Sequence, residues 1–81
     1  MPSTIRSPRQ KLLVERITDA RKEAGITQAD LAKRFGKHQP FIANIEAGER
    51  RIDVVELIEI AEIIGMDIHA LIDELKALPR W

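Results

Sequence analysis

The side chains best suited to polar recognition lie between Thr27 and Arg51, where amide groups stand among cations. Gln28, Gln39 and Asn44 each carry a donor and an acceptor, the pair that a bidentate contact with the edge of adenine requires. The cations that flank them can bind phosphate oxygens, and they are Lys33, Arg34, Lys37, Arg50 and Arg51. These residue types indicate hydrogen-bonded recognition of duplex DNA, provided that one element of the fold presents them together.

Helix start and stop signals place these side chains on two short helices. Thr27 is a good N-cap with Asp30 three residues later, and Gly36 is a typical left-handed stop. The next helix is predicted from about Gln39 to Ala47, and Gly48 closes it. So short a connection forces a steep angle between the two helices rather than an antiparallel hairpin.

The two helices are predicted to share one apolar face and to leave a polar face outside. The inward residues are Leu31, Ala32, Phe35, Ile42 and Ile45. The outer surface of the second helix then carries Gln39, Pro40, Phe41, Ala43 and Asn44. Glutamine and asparagine can bind adenine, and phenylalanine or alanine can contact a thymine methyl group. Gln28 opens the preceding helix, where free backbone N–H groups and the positive dipole end favour a phosphate.

The same boundary signals predict three further helices. Their start and stop residues are, in chain order, Ser7 and Gly25, Asp53 and Gly65, and Asp67 and Pro79. No segment has the period-two alternation of a strand. The predicted fold class is therefore all-α, with five helices in one domain of residues 7–78, a disordered N-terminal arm of residues 1–6 and a C-terminal tail of residues 79–81.

The charges of the chain are divided between its two halves. The formal net charge of the 81 residues is zero, but residues 1–51 hold 11 Lys and Arg against six Asp and Glu. Residues 52–81 hold two against seven. Because affinity for DNA depends on the local field, a basic face on the first half is compatible with a nucleic-acid partner.

The sequence argues against catalysis, metal binding and a membrane. Its only serines are Ser3 and Ser7, so no nucleophile–base pair is credible. Three glutamates recur on the fourth helix without a histidine at ligand spacing, and a solvated acidic stripe is the expected role of Glu56, Glu59 and Glu62. Cysteine is absent, and no apolar run reaches the roughly 20 residues of a membrane span. We expect a cytoplasmic protein that is not an enzyme and has no cofactor.

The segment from Thr27 to Arg51, extended through Leu71, resembles the lambda-repressor-like, Cro-type helix-turn-helix family of small transcriptional regulators. The matching elements are Thr27-Gln28, Leu31-Ala32, Gly36, Gln39, Ile42, Ile45-Glu46, Gly48 and the basic pair Arg50-Arg51. The resemblance implies a five-helix domain whose second and third helices form the helix-turn-helix, bound to double-stranded DNA.

The resemblance also implies roles for single residues. Gln28 matches a glutamine that touches phosphate and steadies the first side chain of the recognition helix. Gln39, Pro40 and Asn44 match positions that face bases or their flanking phosphates, whereas Arg50 and Arg51 lie in a loop that meets the DNA backbone. Arg21 and Glu46 match a partly buried ion pair between the first and third helices. His38 departs from the family, which often has a Ser or Thr cap there.

The second half of the chain carries more apolar side chains than one small core is expected to bury. A sizeable exposed apolar patch usually marks a partner surface. A twofold homodimer is predicted through Ile58, Met66, Leu75, Leu78 and Trp81. It would place two recognition helices about 34 Å apart and so favour an inverted-repeat operator.

Together these features predict a sequence-specific DNA-binding regulator that represses by occupancy. The predicted base-reading residues are Gln39, Pro40, Phe41, Ala43 and Asn44. The predicted phosphate contacts are Gln28, Lys37, His38, Arg50 and Arg51. Two alternatives stay open. One is the antitoxin of a toxin–antitoxin pair, which would also bind a toxin; the other is a protein-interaction adaptor that keeps the fold without reading bases.

Overall fold

Five helices account for most of the chain in the computed structural model, which describes residues 7–80. They are α1 (Pro8–Glu23), α2 (Gln28–Phe35), α3 (Gln39–Glu46), α4 (Val54–Ile64) and α5 (Ile68–Lys76). Residues 7–80 contain no strand, and the all-α prediction with its five helices is confirmed. The predicted arm lies outside the described residues, as does Trp81, so the division into arm, domain and tail stays a prediction.

Short polar side chains cap the N-termini of α1, α2 and α4 at the predicted residues. The Ser7 hydroxyl accepts a hydrogen bond from the backbone N–H of Gln10, and the Thr27 hydroxyl accepts one from Asp30. Asp53 and Glu56 form a reciprocal capping box at the start of α4. Each such bond satisfies a backbone donor that the first turn of a helix leaves without a partner. These contacts are local in sequence, which explains why the boundaries could be predicted.

The core is built from aliphatic side chains of all five helices. The largest fully buried ones are Ile17, Leu31, Ile42, Ile45 and Ile60, and Leu71 joins them from α5. An isolated helix of eight residues is unstable in water, so α3 depends on this packing. Ile42 and Ile45 are each 1% exposed, and burial of each contributes about 1.5–3 kcal/mol. The core therefore fixes which face of α3 remains outside.

The apolar surplus is smaller than the sequence predicts. Met66 and Leu75 are predicted at a dimer surface, but both are half-buried and pack against the core. Leu78 is also half-buried, whereas Ile58 is 44% exposed as expected. The largest exposed apolar side chains are Val54, Val55, Ile58 and Ile72. Three of these four lie in the first half of α4, so the main apolar patch is there rather than along α5.

Candidate nucleic-acid interface

The outer face of α3 presents polar groups close to the start of the helix. Gln39, Pro40 and Asn44 are exposed as predicted, and Ala43 is half-buried. His38 stands at the N-cap without a side-chain hydrogen bond to the helix, which agrees with its departure from the family's Ser or Thr. The first turn of α3, which begins at Gln39, is favoured instead by Pro40, whose fixed φ suits a helix start.

A continuous chain of hydrogen bonds links the buried side of α3 to this exposed face. Arg21 holds the Glu46 carboxylate with two bonds, Nε to Oε2 at 2.6 Å and Nη2 to Oε1 at 3.0 Å. Gln28 donates from Nε2 to Glu46 Oε1 at 2.9 Å. Gln39 then donates from Nε2 to Gln28 Oε1 at 2.9 Å. We call these four residues the polar chain.

The polar chain fixes the orientation of each amide in it. An ionised carboxylate only accepts hydrogen bonds, so Glu46 sets the amide nitrogen of Gln28 toward itself. The carbonyl oxygen of Gln28 is then turned to Gln39 and takes one of its two amide hydrogens. Gln39 keeps its carbonyl oxygen and its second N–H, which is the donor and acceptor set that adenine requires. The Arg21–Glu46 pair that the resemblance implies is thus connected through Gln28 to the exposed Gln39.

The Arg21–Glu46 pair at the base of the polar chain is shielded from solvent. The side chains of Arg21 and Glu46 are 9% and 6% exposed, and Arg21 also donates to the carbonyl of Ile26 at 2.7 Å. Burial opposes ionisation of Glu46, but the hydrogen bonds from Arg21 and Gln28 outweigh it, so the pKa of Glu46 lies below its ordinary value of 4.5. The carboxylate is charged at neutral pH and depends on its partners.

Phe41 does not lie on the outer surface where the sequence places it. The ring is half-buried against the core, with its centroid 5.6 Å from that of Phe35. The guanidinium carbon of Arg50 lies 4.0 Å from the Phe41 centroid, and Lys37 Nζ lies 5.5 Å from it. The helical spacing explains this position, because Phe41 lies four residues before the buried Ile45 and so on the edge of the core face.

Arg50 is an ion-pair partner as well as a loop cation. Its Nη1 and Nη2 donate to the two carboxylate oxygens of Glu56, each at 3.2 Å, and Nη1 also donates to the carbonyl of Arg51 at 2.6 Å. The hydrogen bond from Arg50, opposed by burial, holds the pKa of Glu56 below its ordinary value. The expectation that Glu56 belongs to a solvated stripe is therefore wrong, whereas Glu59 and Glu62 are exposed.

The remaining predicted phosphate contacts also lie around α3. Lys37, His38 and Arg51 are exposed, and Gln28 is half-buried at the start of α2. Within residues 7–80, no three His, Cys, Asp or Glu side chains come together as metal ligands. In the same part of the chain, no helix combines the length and apolar character that crossing a membrane requires.

Comparison with known proteins supports the assignment of α2 and α3 as a helix-turn-helix. Residues 17–71 match the helix-turn-helix family HTH_3. The chain is 29% identical over 70 residues to an uncharacterized HTH-type transcriptional regulator, y4dJ, of Sinorhizobium fredii, covering 86% of this chain and 91% of that protein.

Two solved structures share the architecture. An XRE-family like protein from Pseudomonas syringae pv. tomato superposes with a TM-score of 0.78 at 42% identity, over 85% of this chain and 84% of that one. The restriction-modification controller protein C.Esp1396I superposes with a TM-score of 0.75 at 24% identity, over 86% and 92%, which shows the likeness of the fold alone. The chain belongs to the XRE-like helix-turn-helix family of DNA-binding transcriptional regulators.

Proposed function

We propose that this protein is a cytoplasmic repressor that binds a specific operator in double-stranded DNA as a homodimer. We expect repression by occupancy, because the polar groups of the described domain converge on α3, the helix that would cover the operator. The observation that carries the proposal is the polar chain, which fixes Gln39 at the exposed start of α3 through Gln28, Glu46 and Arg21. A surface glutamine without a role in recognition does not need its amide oriented from a buried ion pair.

The base-reading set is Gln39, Pro40, Ala43 and Asn44. Gln39 and Asn44 supply hydrogen bonds to base edges, while the Pro40 ring and the Ala43 methyl group supply apolar contact. All four lie on the face of α3 that the core leaves outside, although Ala43 is half-buried. The sequence-based assignment of Phe41 to this set is not retained, because Arg50 already lies over its ring.

The phosphate-contacting set lies on both sides of that face. Gln28 stands at the start of α2, Lys37 and His38 in the turn, and Arg50 and Arg51 after α3. Charged and amide groups at these places fix the register of α3 on the duplex, but they carry no sequence information themselves. Loss of one of the charged side chains therefore weakens binding to every sequence by a similar factor, whereas loss of Gln28 also releases the amide of Gln39 and so changes the preference between sequences.

The homodimer is supported by the apolar patch at the start of α4. Val54 and Val55 are 70% and 65% exposed, and Ile58 is 44% exposed one turn later. Burial of such side chains between two copies is favourable, and a twofold axis would relate two α3 helices to two half-sites. Sedimentation at tens of micromolar measures the association directly, and a monomer at that concentration would refute this part of the proposal.

Selection of bound duplexes from a random library tests the whole proposal. At about 150 mM salt the non-specific electrostatic contribution is reduced, so enriched sequences report base reading. We expect an inverted repeat with half-sites one helical turn apart. The Gln39→Ala variant should lose selectivity at defined positions, whereas Lys76→Ala, which removes an exposed cation on α5, serves as the control. Recovery of no motif would refute base reading and favour the protein-interaction adaptor.

A further inference from the structure

The guanidinium of Arg50 is held by an aromatic ring and, along one edge, by hydrogen bonds. Its carbon lies over the ring of Phe41, 4.0 Å from the centroid, in a cation–π contact. Glu56 takes the edge formed by Nη1 and Nη2 in two hydrogen bonds, and the carbonyl of Arg51 takes a further hydrogen of Nη1. We call Phe41, Arg50 and Glu56 the Arg50 cluster.

One edge of the guanidinium makes no hydrogen bond to the described residues. The group has five N–H donors, and the contacts with Glu56 and Arg51 use three of them. The remaining two are the Nε hydrogen and the second Nη2 hydrogen, and no residue within 7–80 accepts a hydrogen bond from them. The Arg50 side chain is 40% exposed, so solvent reaches a substantial part of it. Two parallel donors on a planar cation match two oxygens of a phosphate.

The residues around Arg50 come from two helices that flank its loop. Phe41 belongs to α3 and is itself supported by Phe35 of α2, while Glu56 belongs to the first turn of α4. Glu56 is fixed in turn by the capping box, in which Oε1 accepts the backbone N–H of Asp53 at 3.0 Å. The guanidinium is therefore oriented by side chains that are themselves anchored, which limits the conformational entropy that a phosphate contact has to remove.

We propose that Phe41 and Glu56 are positioning residues that orient Arg50, so that its Nε–Nη2 edge binds one phosphate of the DNA backbone in two hydrogen bonds. Glu56 has a second effect in this arrangement. Its carboxylate lies on the adjacent edge of the same guanidinium, which shares Nη2, and repels the phosphate, so Glu56 also sets an upper limit on the strength of the contact. The inference rests on the proposed function, because it assigns the positioning of one phosphate contact within it.

The two positioning residues should shift DNA affinity in opposite directions. Phe41→Leu keeps an apolar side chain against Phe35 but removes the ring face, and an exposed cation–π contact corresponds to about a two- to fivefold loss of affinity. Glu56→Gln keeps an oxygen that can accept from Asp53 and from Arg50, so the capping box and the position of Arg50 are retained, but it removes the negative charge. Loss of one like-charge repulsion across about 7 Å of water corresponds to about a threefold gain of affinity. Both substitutions would lower or leave unchanged the stability of the fold, so stability alone does not predict opposite signs.

Fluorescence anisotropy with a selected operator and a scrambled duplex tests the inference, at 50 and 150 mM salt. We expect the loss in Phe41→Leu and the gain in Glu56→Gln to be equal on both duplexes, because a phosphate contact does not read sequence. Phe41→Tyr keeps the aromatic ring, so this variant should bind DNA with wild-type affinity. Arg50→Lys keeps the charge but not the planar fork, so it should weaken binding in the wild type and add little in the Phe41→Leu background.

The outcomes separate this inference from the proposed function. If the wild type binds both duplexes equally, base reading is refuted, while the variants still report on the phosphate contact. If the wild type prefers the operator but Phe41→Leu and Glu56→Gln shift affinity in the same direction, the positioning role is refuted and the proposed function stands. Equal DNA affinity of Arg50→Lys and the wild type would also refute the positioning role. Absence of binding to any duplex at 50 mM salt would overturn both.

Discussion

The Arg21–Glu46 pair offers a way to separate folding from base reading. In the Arg21→Met variant, Glu46 keeps its position but loses the cation that holds both of its oxygens at 2.6 and 3.0 Å. Because the two side chains are 9% and 6% exposed, water cannot replace the guanidinium. Removal of one partner from such a pair costs about 3–5 kcal/mol. A domain of this size has about 4–12 kcal/mol of stability in total, so the variant should be close to unfolding.

The pH dependence of that loss follows from the pKa of Glu46. In the wild type the folded-state pKa lies below 4.5, so the pair stabilises the fold above that value and the contribution disappears as pH falls through the folded-state pKa. Without Arg21, burial still raises the pKa of Glu46 and the strongest hydrogen bond that lowers it is lost, so the pKa should rise. The carboxyl group then becomes neutral at a higher pH than in the wild type. The stability difference between wild type and Arg21→Met should therefore be largest near pH 7 and shrink toward pH 4.

The double variant Arg21→Met/Glu46→Leu removes both charges together. An apolar pair in this buried position should recover most of the lost stability, to within about 1–2 kcal/mol of the wild type. Gln28 Nε2 then has no carboxylate to bind, so nothing fixes the amide of Gln28 or the one of Gln39 that donates to it. We expect a folded protein whose preference for the operator over a scrambled duplex is reduced.

Urea unfolding followed by far-UV circular dichroism at pH 7 and pH 4 gives the stabilities, and anisotropy with the two duplexes gives the preference. Gln28→Ala in the wild-type background is the matched control, because it should lower the preference with little change in stability. A loss below about 1 kcal/mol in Arg21→Met would refute the estimate made from burial. An unaltered operator preference in the folded double variant would refute the role of the polar chain.

Four further substitutions test separate parts of the molecule. Asn44→Ala should reduce the free energy of binding to the operator by about 1–3 kcal/mol and relax selectivity at one base position. Arg51→Ala should weaken binding to all duplexes alike and reduce the slope of log affinity against log salt by about one. Site selection and salt titration of both variants check this, and identical behaviour of the two would contradict it. Gly36→Ala should cost about 1–2 kcal/mol in urea unfolding, because the φ of 75° is strained for a residue with a Cβ although nothing lies within 4 Å of it. Ile58→Glu should yield a folded monomer by sedimentation if the α4 patch is the dimer surface, and an undiminished dimer would move the interface elsewhere.

The helices could be predicted because their signals are local. Thr27 and Asp30, or Asp53 and Glu56, lie three residues apart, and their hydrogen bonds form as soon as the chain turns. The exposure of Gln39 and Asn44 followed from the position of the buried isoleucines on the same helix. Short-range patterns were therefore enough to predict the helices and the face of α3 that stays exposed.

The contacts that orient side chains were harder to predict because they join distant elements. Arg21 and Glu46 are 25 residues apart, and the resemblance to a known family indicated the pair where the spacing alone did not. Arg50 reaches Glu56 and Phe41 through the path of the loop after α3, which local patterns do not specify. The position of Phe41 could have been foreseen from its spacing of four residues to Ile45. The exposed apolar patch was overestimated because Met66 and Leu75 pack against the core.

Two anchors of different character hold α3, which is too short to be stable alone. The polar chain fixes the start of α3 from a buried ion pair, whereas the Arg50 cluster holds its flank through an exposed cation. The two sets share no residue and no hydrogen bond among the described contacts, so substitutions in them should act independently. We expect Gln28→Ala to change the ratio of operator to scrambled binding and Glu56→Gln to change both affinities by one factor. Anisotropy on the double variant should give the product of the two effects to within about twofold. A larger deviation would mean that α3 moves as a unit, and that specificity and affinity cannot be adjusted separately in this protein.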